Sequence, residues 1–283
     1  MSSSSLLSQA PLIHAVAQVQ FSELPSFEEG ELEALHRGLM GIRFPERVNS
    51  HFEQHILALP ANGAPADQPS HQRLSRYVFK APGQQQLVEV RRDRILLKVT
   101  DYAGHHAFFD LWQKVMETVF AALPHLRQAL LHRFSLRYID LVVPKPVERL
   151  TQLVSGALLP PPLQELQGDS LFGTSVKVIR TAPNQHLRVA FEELLPMEKR
   201  LTKVLPDDLA EHDPRCGISI NAQAHWQEIE GPYGLLDIEH VYTAHDTPSL
   251  ATVDMKNRLE ALYQPARAAF DSVITDAART SWA

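Results

Sequence analysis

The chain has 283 residues, of which 44% are hydrophobic and 21% are charged, and its formal net charge is −6. This composition is typical of a folded protein with a sizeable core and excludes a wholly disordered chain. No apolar run approaches the ~18 residues that a membrane-spanning helix needs. The single cysteine, Cys216, excludes a disulfide framework and a cysteine-based zinc cluster.

Charge is distributed unevenly along the chain. Residues 1–143 hold 14 basic and 14 acidic side chains, whereas residues 144–283 hold 13 and 19 and carry the whole net charge. The chain as a whole therefore lacks the basic excess of a general nucleic-acid-binding protein. The N-terminal residues lack the basic and apolar regions of a secretory signal, so we expect a cytoplasmic protein with reduced Cys216.

Hydrophobic periodicity predicts both strands and helices in the first half. Apolar side chains recur at every second position over residues 12–21, as in a half-buried strand. Ser26 and Glu29 have the spacing of a capping box that opens a helix. A wide apolar stripe predicts a core helix over 104–123, and residues 60–71 predict a loop. Further strands are predicted over 76–81, 86–91, 94–100 and 133–143.

The second half predicts a similar mixture of elements. A short helix is expected near 148–158, before the three prolines at 160–162. Strands are expected over 174–181, 186–195, 216–223 and 234–242. A long helix should start at Thr247-Pro248, run to the C-terminus and be kinked at Pro265.

Consecutive strands joined by short turns favour antiparallel pairing, so the predicted fold class is α+β. We expect two packed lobes of antiparallel sheet, residues 1–146 and 147–283, each closed by amphipathic helices. Both halves contain a meander of strands followed by a helix. This order predicts a pseudo-repeat, although the halves share no sequence identity.

Four segments carry a resemblance to a known family. Residues 133–140 read Arg-Phe-Ser-Leu-Arg-Tyr-Ile-Asp, residues 236–239 read Leu-Asp-Ile-Glu, residues 11–16 read Pro-Leu-Ile-His-Ala-Val, and Leu262-Tyr263 lies in the closing helix. Together they resemble a sporadically distributed, poorly characterised bacterial family with an Arg-x-Gly-Leu-Arg-Tyr-Ile-Asn strand and a Leu-Asp-Ile-Asp strand. Where that family has Asn, Asp and His, this chain has Asp140, Glu239 and Tyr263. The patchy distribution implies a place in mobile genetic islands or in antiviral defence.

Basic residues are concentrated on three predicted strands and their turns. Tyr77 and Phe79 lie among them, as aromatic rings do where a sheet binds single-stranded nucleic acid. Two other interpretations stay open, namely a solvated hairpin and a face that binds an acidic protein partner such as the C-terminal half itself. The candidate binding residues are Arg76, Lys80, Arg91, Arg92 and Arg94.

Arg133, Arg137 and Asp140 lie on one predicted strand. Burying an unpaired guanidinium is unfavourable, so the strand predicts either an anion site or an internal ion pair with Asp237 or Glu239. Asp237 and Glu239 are two residues apart on a strand, so both carboxylates project from one face. With Asp140 they form a candidate acidic site that could bind a hard cation or divide acid and base roles. Alternation alone also produces such a pair on a solvated face.

The sequence has no catalytic motif with the required spacing around its histidines or Ser219. His51 and His55 have Glu53 at the wrong position for a zinc-protease motif, and the sequence around Ser219 lacks the second glycine of a nucleophile elbow. We therefore expect a binding or scaffold protein without a cofactor or metal that acts through a protein partner. The family resemblance implies that it belongs to a bacterial defence or conflict module. A nucleic-acid-binding protein and a metal-assisted hydrolase are the alternatives.

Overall fold

The computed structural model describes residues 10–56, 70–161 and 170–283. The N-terminal residues, most of the loop predicted at 60–71 and Pro162 lie outside these ranges. The strands are β1 (Leu12–Phe21), β2 (Glu46–Ile56), β3 (Ser70–Lys80), β4 (Gln86–Val90), β5 (Arg94–Val99), β6 (Leu131–Val142), β7 (Phe172–Ala182), β8 (Gln185–Leu194) and β9 (Tyr233–Thr243). The α-helices are α1 (Glu29–Gly41), α2 (His105–Ala122), α3 (Leu150–Leu153), α4 (Met255–Val273) and α5 (Asp276–Trp282).

These strands form one antiparallel sheet in the order β2-β3-β4-β5-β1-β6-β9-β8-β7. The α+β class is confirmed, but two separate lobes are not seen in the described part of the chain. The two predicted lobes are joined by backbone hydrogen bonds, because β6 of residues 1–146 pairs with β9 of residues 147–283 from Arg133–Thr243 to Val142–Gly234. The boundary predicted between residues 146 and 147 falls in the loop after β6 and stays a prediction.

The strands on the two sides of the central β1–β6 pair are connected in a similar way. β1 is followed by a helix and then by the meander β2–β5, whose last strand returns to pair with β1. β6 is followed by a helix and then by the meander β7–β9, whose last strand returns to pair with β6. The group of strands that resembles β1–β5 in connection therefore starts at β6. Its start lies before the boundary predicted between residues 146 and 147.

The helices cover one face of the sheet and bury the larger core. Trp112 of α2 meets Phe134 of β6 edge to face, with ring centroids 5.9 Å apart. Leu35 of α1 and Leu262 of α4 are fully buried in the same cluster. Each such side chain stabilises the fold by about 1.5–3 kcal/mol through burial. The apolar stripe predicted for α2 is confirmed as core.

The opposite face of the sheet is covered in part by the β8–β9 connection, residues 195–232, which we call the covering segment. Ile139 and Leu141 alternate with the core residues of β6 and therefore point away from the helices. Trp226 and Ile229 of the covering segment pack against them in a second, smaller core. The covering segment thus closes the sheet on the side that has no helices.

Two strand predictions differ from the structure. The strand predicted over 216–223 is wrong, because Pro214–Cys216 form a short 3-10 turn and no strand follows before β9. Apolar residues alternate with polar ones in this segment because Cys216 packs onto Val78 and Leu87, in a cluster that Ile218 also contacts. Cys216 is a buried free thiol whose pKa is raised by burial. Conversely, β2 was not predicted, since its side chains are mostly polar.

Helix ends also differ from the predictions. The capping box of α1 is formed by Glu28 and Glu31, two residues later than predicted. The closing helix does not start at Pro248, because α4 begins after Asp254, whose side chain accepts a hydrogen bond from the Asn257 amide. Nor does it run unbroken to the C-terminus, because α4 ends at Val273, Ile274 is extended, and α5 is a separate helix. Pro265 lies inside α4 as predicted. Within the described residues, no helix is long and apolar enough to cross a bilayer.

Candidate functional site

Arg137 lies at the centre of an ion-pair network on the face of the sheet that the helices do not cover. Its guanidinium donates to both carboxylate oxygens of Asp237, each at 2.8 Å, and to Asp208 of the covering segment at 2.6 and 3.0 Å. Arg188 of β8 also donates to Asp237. Hydrogen bonds from Arg137 lower the pKa of Asp208. The internal ion pair predicted as one alternative is confirmed.

Glu239 has a similar partner on the same face. Arg133 of β6 donates to its carboxylate at 2.7 Å. Both carboxylates of the predicted acidic pair are therefore held by arginines. Asp140 does not join them: it pairs with Leu236 across β6 and β9 and so points to the helix-covered face. In the described ranges, no group of three or more His, Cys, Asp or Glu side chains is arranged to hold a metal ion.

Arg76 and Lys80 of β3 are also bound by the covering segment. Arg76 donates two hydrogen bonds to Glu211, at 2.8 and 2.6 Å, and lies 3.7 Å from Glu89. Lys80 is almost fully buried and donates to the backbone carbonyl of Arg215 at 3.0 Å. The interpretation of this basic face as a site for the chain's own acidic half is confirmed for Arg76, whereas Lys80 contacts the same half through a backbone carbonyl.

The remaining predicted cations have partners within their own half of the chain. Arg91 forms an ion pair with Glu89 and lies over the ring of Phe52. Arg92 contacts Glu23 at 3.2 Å and donates to the Leu24 carbonyl, whereas Arg94 contacts Asp93 at 2.7 Å. A phosphate backbone would have to displace a carboxylate at almost every one of these positions.

A second group of titratable residues lies under the helices. Burial raises the pKa of Asp140 to about 8, against an opposing effect of Arg267. The hydroxyls of Tyr102 and Tyr138 are 3.3 Å apart, and the ring of Tyr263 lies 6.3 Å from that of Tyr138. Only 3% of Asp140 is exposed, so this neutral carboxyl belongs to the core and is closed to a substrate.

His14 of β1 is buried on the opposite face of the sheet. Neither ring nitrogen has a hydrogen-bond partner. Burial lowers its pKa to about 3, and the nearby Lys98 and Arg137 add to the effect. The imidazole is therefore neutral at physiological pH and is enclosed within the folded chain.

Among the described residues, several exposed large apolar side chains are grouped on the edge strand β7, which was predicted as a strand without any prediction that it would be exposed. Val176, Val178 and Ile179 are 52%, 64% and 48% exposed, and Phe172 at its start is 56% exposed. β7 pairs with β8 on one side only, because it ends the sheet. Within the described part of the chain no strand pairs with its other side, which therefore presents free backbone donors and acceptors.

The two edges of the sheet differ in how they are protected. β2, at the opposite edge, has a mostly polar sequence, and its Ser50 donates to Asp213 of the covering segment at 2.8 Å. Charged and polar side chains on an edge strand discourage pairing with other chains. On β7, apolar residues occupy both faces, with Lys177 and Arg180 as its charged side chains. Of the two edges, β7 is thus the one suited to accept another strand.

No protein-family model matches the chain, and no curated protein matches it in sequence. The resemblance to the sporadically distributed bacterial family therefore stays a prediction.

Proposed function

We propose that this chain is a protein-binding subunit that holds its partner by adding one of the partner's strands to the free edge of β7. The observation that carries the proposal is the exposure of Val176 and Val178 on a sheet edge of 11 residues. Strand addition uses backbone hydrogen bonds for affinity and side-chain contacts on alternate positions for specificity.

The energetics of the edge support this function. A partner segment of about six residues would form about six backbone hydrogen bonds, each contributing a net of about 0.5–1.5 kcal/mol. Covering Val178 and Ile179 would add the free energy of removing apolar surface from water. An apolar edge of this kind left uncovered is an aggregation hazard, so a partner strand would also protect the chain.

The two alternative functions receive less support from the geometry. A nucleic acid would compete with carboxylates already bound to Arg76, Arg94, Arg133 and Arg137. A hydrolytic role for Asp237 would require it to leave two arginines. Membership of a defence module and a cytoplasmic location rest on the resemblance and the sequence, and they remain part of the proposal.

The proposal is tested with Val178→Lys and a matched control, Met40→Lys. Met40 is 52% exposed on α1, the helix that connects β1 to β2, so both variants place a charge on an exposed apolar position but only one of them changes β7. Wild-type protein and the control should retain the same partner from a lysate of the source cells, and Val178→Lys should lose it. Amides of β7 should exchange more slowly with deuterium in the retained complex.

Three results would contradict the proposal. The first is an absence of any retained partner with the wild-type protein. The second is that Val178→Lys retains the partner as well as the wild-type protein does, while denaturation shows that the variant is as stable as the wild type. The third is a retained partner that leaves the exchange of the β7 amides unchanged.

A further inference from the structure

We infer that the strand accepted by β7 is acidic and apolar, with carboxylates opposite Lys177 and Arg180; this inference rests on the proposed function. Both cations are exposed, and neither forms an ion pair or hydrogen bond within the part of the chain that the structure describes. β7 itself contains no Asp or Glu. Since the second half of the chain is acidic overall, these two unpaired cations on the free edge are a local feature of β7.

The register of β7 against β8 shows which side chains share a face. Val178 is opposite Arg188, and Arg180 is opposite His186, so both belong to the face that the helices do not cover. Lys177 and Ile179 are opposite Val189 and Leu187, which are core residues on the helix-covered face. Each face of β7 therefore presents one cation two residues from an apolar side chain.

A partner strand would need matching side chains at the same positions. Directly opposed residues on neighbouring strands interact favourably when they carry opposite charges or when both are apolar. Antiparallel to β7, the partner should thus read acidic, apolar, apolar, acidic, apolar opposite Arg180 to Val176. The preference is confined to this part of β7, because Glu192 and Glu193 of β8 lie opposite Thr174 and Gly173.

A second copy of this chain fits the edge poorly. Antiparallel self-pairing of β7 would bring four cations together without one carboxylate from either strand. Like charges on paired strands destabilise the pair. If the two copies of β7 pair symmetrically about Lys177, the two lysines lie directly opposite each other. If they pair symmetrically about Val178, the two lysines are diagonal neighbours.

The inference is tested with two short peptides that differ only in charge. The probe is acetyl-Thr-Glu-Val-Val-Glu-Val-Thr-amide carrying a fluorophore, and its counterpart has Lys in place of both Glu residues. Fluorescence anisotropy should show the acidic peptide binding at least about tenfold more tightly at low salt, with the ratio falling as salt screens the charges. The double variant Lys177→Glu/Arg180→Glu should reverse the preference, and Val178→Lys should weaken binding of both peptides.

The outcomes separate this inference from the proposed function. Equal binding of both peptides, unaffected by the double charge reversal but lost in Val178→Lys, would overturn the acidic partner while keeping strand addition. Failure of both peptides to bind, with β7 amide exchange unchanged, would overturn both. Concentration-dependent dimerisation that Val178→Lys abolishes would identify a second copy as the occupant and overturn the acidic strand.

Discussion

Arg137 on β6 and Asp237 on β9 form a buried bidentate ion pair, with two guanidinium nitrogens each 2.8 Å from a carboxylate oxygen. The pair lies between the central strands and the covering segment, whose Asp208 adds a second carboxylate to Arg137. Because each charge is matched and hydrogen-bonded, the network is tolerated inside the fold. It links β6 in the first half of the chain to β9 and the covering segment in the second.

Removing Asp237 should leave the buried guanidinium of Arg137 with the largely exposed carboxylate of Asp208 as its remaining ion-pair partner. We predict that Asp237→Ala lowers the free energy of unfolding by up to about 3–5 kcal/mol. Urea denaturation at neutral pH measures the change. Asp93→Ala is the control, because its pair with Arg94 is exposed and should be worth less than about 1 kcal/mol. Equal effects of the two variants would contradict a structural role for the buried pair.

Asp140 should make the protein less stable as the pH rises from about 4 to 8. The folded state keeps the proton up to a pKa of about 8, whereas the unfolded carboxyl loses it near its ordinary pKa. Each pH unit in that window removes about 1.4 kcal/mol at most from the free energy of unfolding. The isosteric variant Asp140→Asn should have the same free energy of unfolding as the wild type at pH 4. At pH 8 its free energy of unfolding should be several kcal/mol higher.

Urea denaturation of both proteins at several pH values tests this prediction. A difference between them that does not change with pH would show that Asp140 is ionised in the fold. Asn is also close to Asp in size and shape, so the substitution should disturb the packing of β6 little.

His14 should have the opposite effect on pH dependence and make the protein less stable as the pH falls. Its pKa is lowered to about 3, so acid stabilises the unfolded state, which binds a proton below about pH 6.5. His14→Leu also removes two buried nitrogens without partners. We predict that the variant is more stable than the wild type at pH 8 and that its advantage grows by about 2 kcal/mol at pH 5. Thermal unfolding at the two pH values measures the difference, and an advantage that shrinks in acid would refute the prediction.

Glu211 should fasten the covering segment to β3. In Glu211→Gln, Arg76 keeps only Glu89, 3.7 Å away, as a charged neighbour. We expect the covering segment to open more often and trypsin to cleave faster after the exposed Arg215. Glu230→Gln is the control, because its pair with Lys199 is exposed. If both variants are cut at the wild-type rate, the hydrogen bonds of Arg76 do not hold the segment in place.

Much of the fold could be predicted because local patterns agreed with packing. The alternation in β1 and the apolar stripe of α2 are set by faces that are buried on one side, so period and burial coincide. Cys216 and Ile218 misled the strand prediction, since a segment packed flat on a sheet also buries alternate residues without pairing. β2 was missed because an edge strand needs few apolar side chains.

The candidate site was harder to predict, because it depends on strand order. The need of Arg137 for a carboxylate follows from its apolar neighbours, and Asp237 was among the partners expected. Asp140 is three residues from Arg137, so alternation along β6 already places it on the opposite face from Arg137. Which carboxylate Arg137 binds depends on the register of β6 and β9, which no local pattern contains. The exposure of Val178 depends on β7 being last in the sheet, a property of the whole topology.

Amide hydrogen exchange along β7 tests most directly whether its edge accepts another strand. In the free protein, the outward-facing amides of residues 172–182 should exchange rapidly, since β8 pairs with the other side only. Saturating acidic peptide should slow those amides and leave the β2 edge unchanged. Outward amides of β7 that are already protected in the free protein, or that stay fast at saturation, would contradict the account.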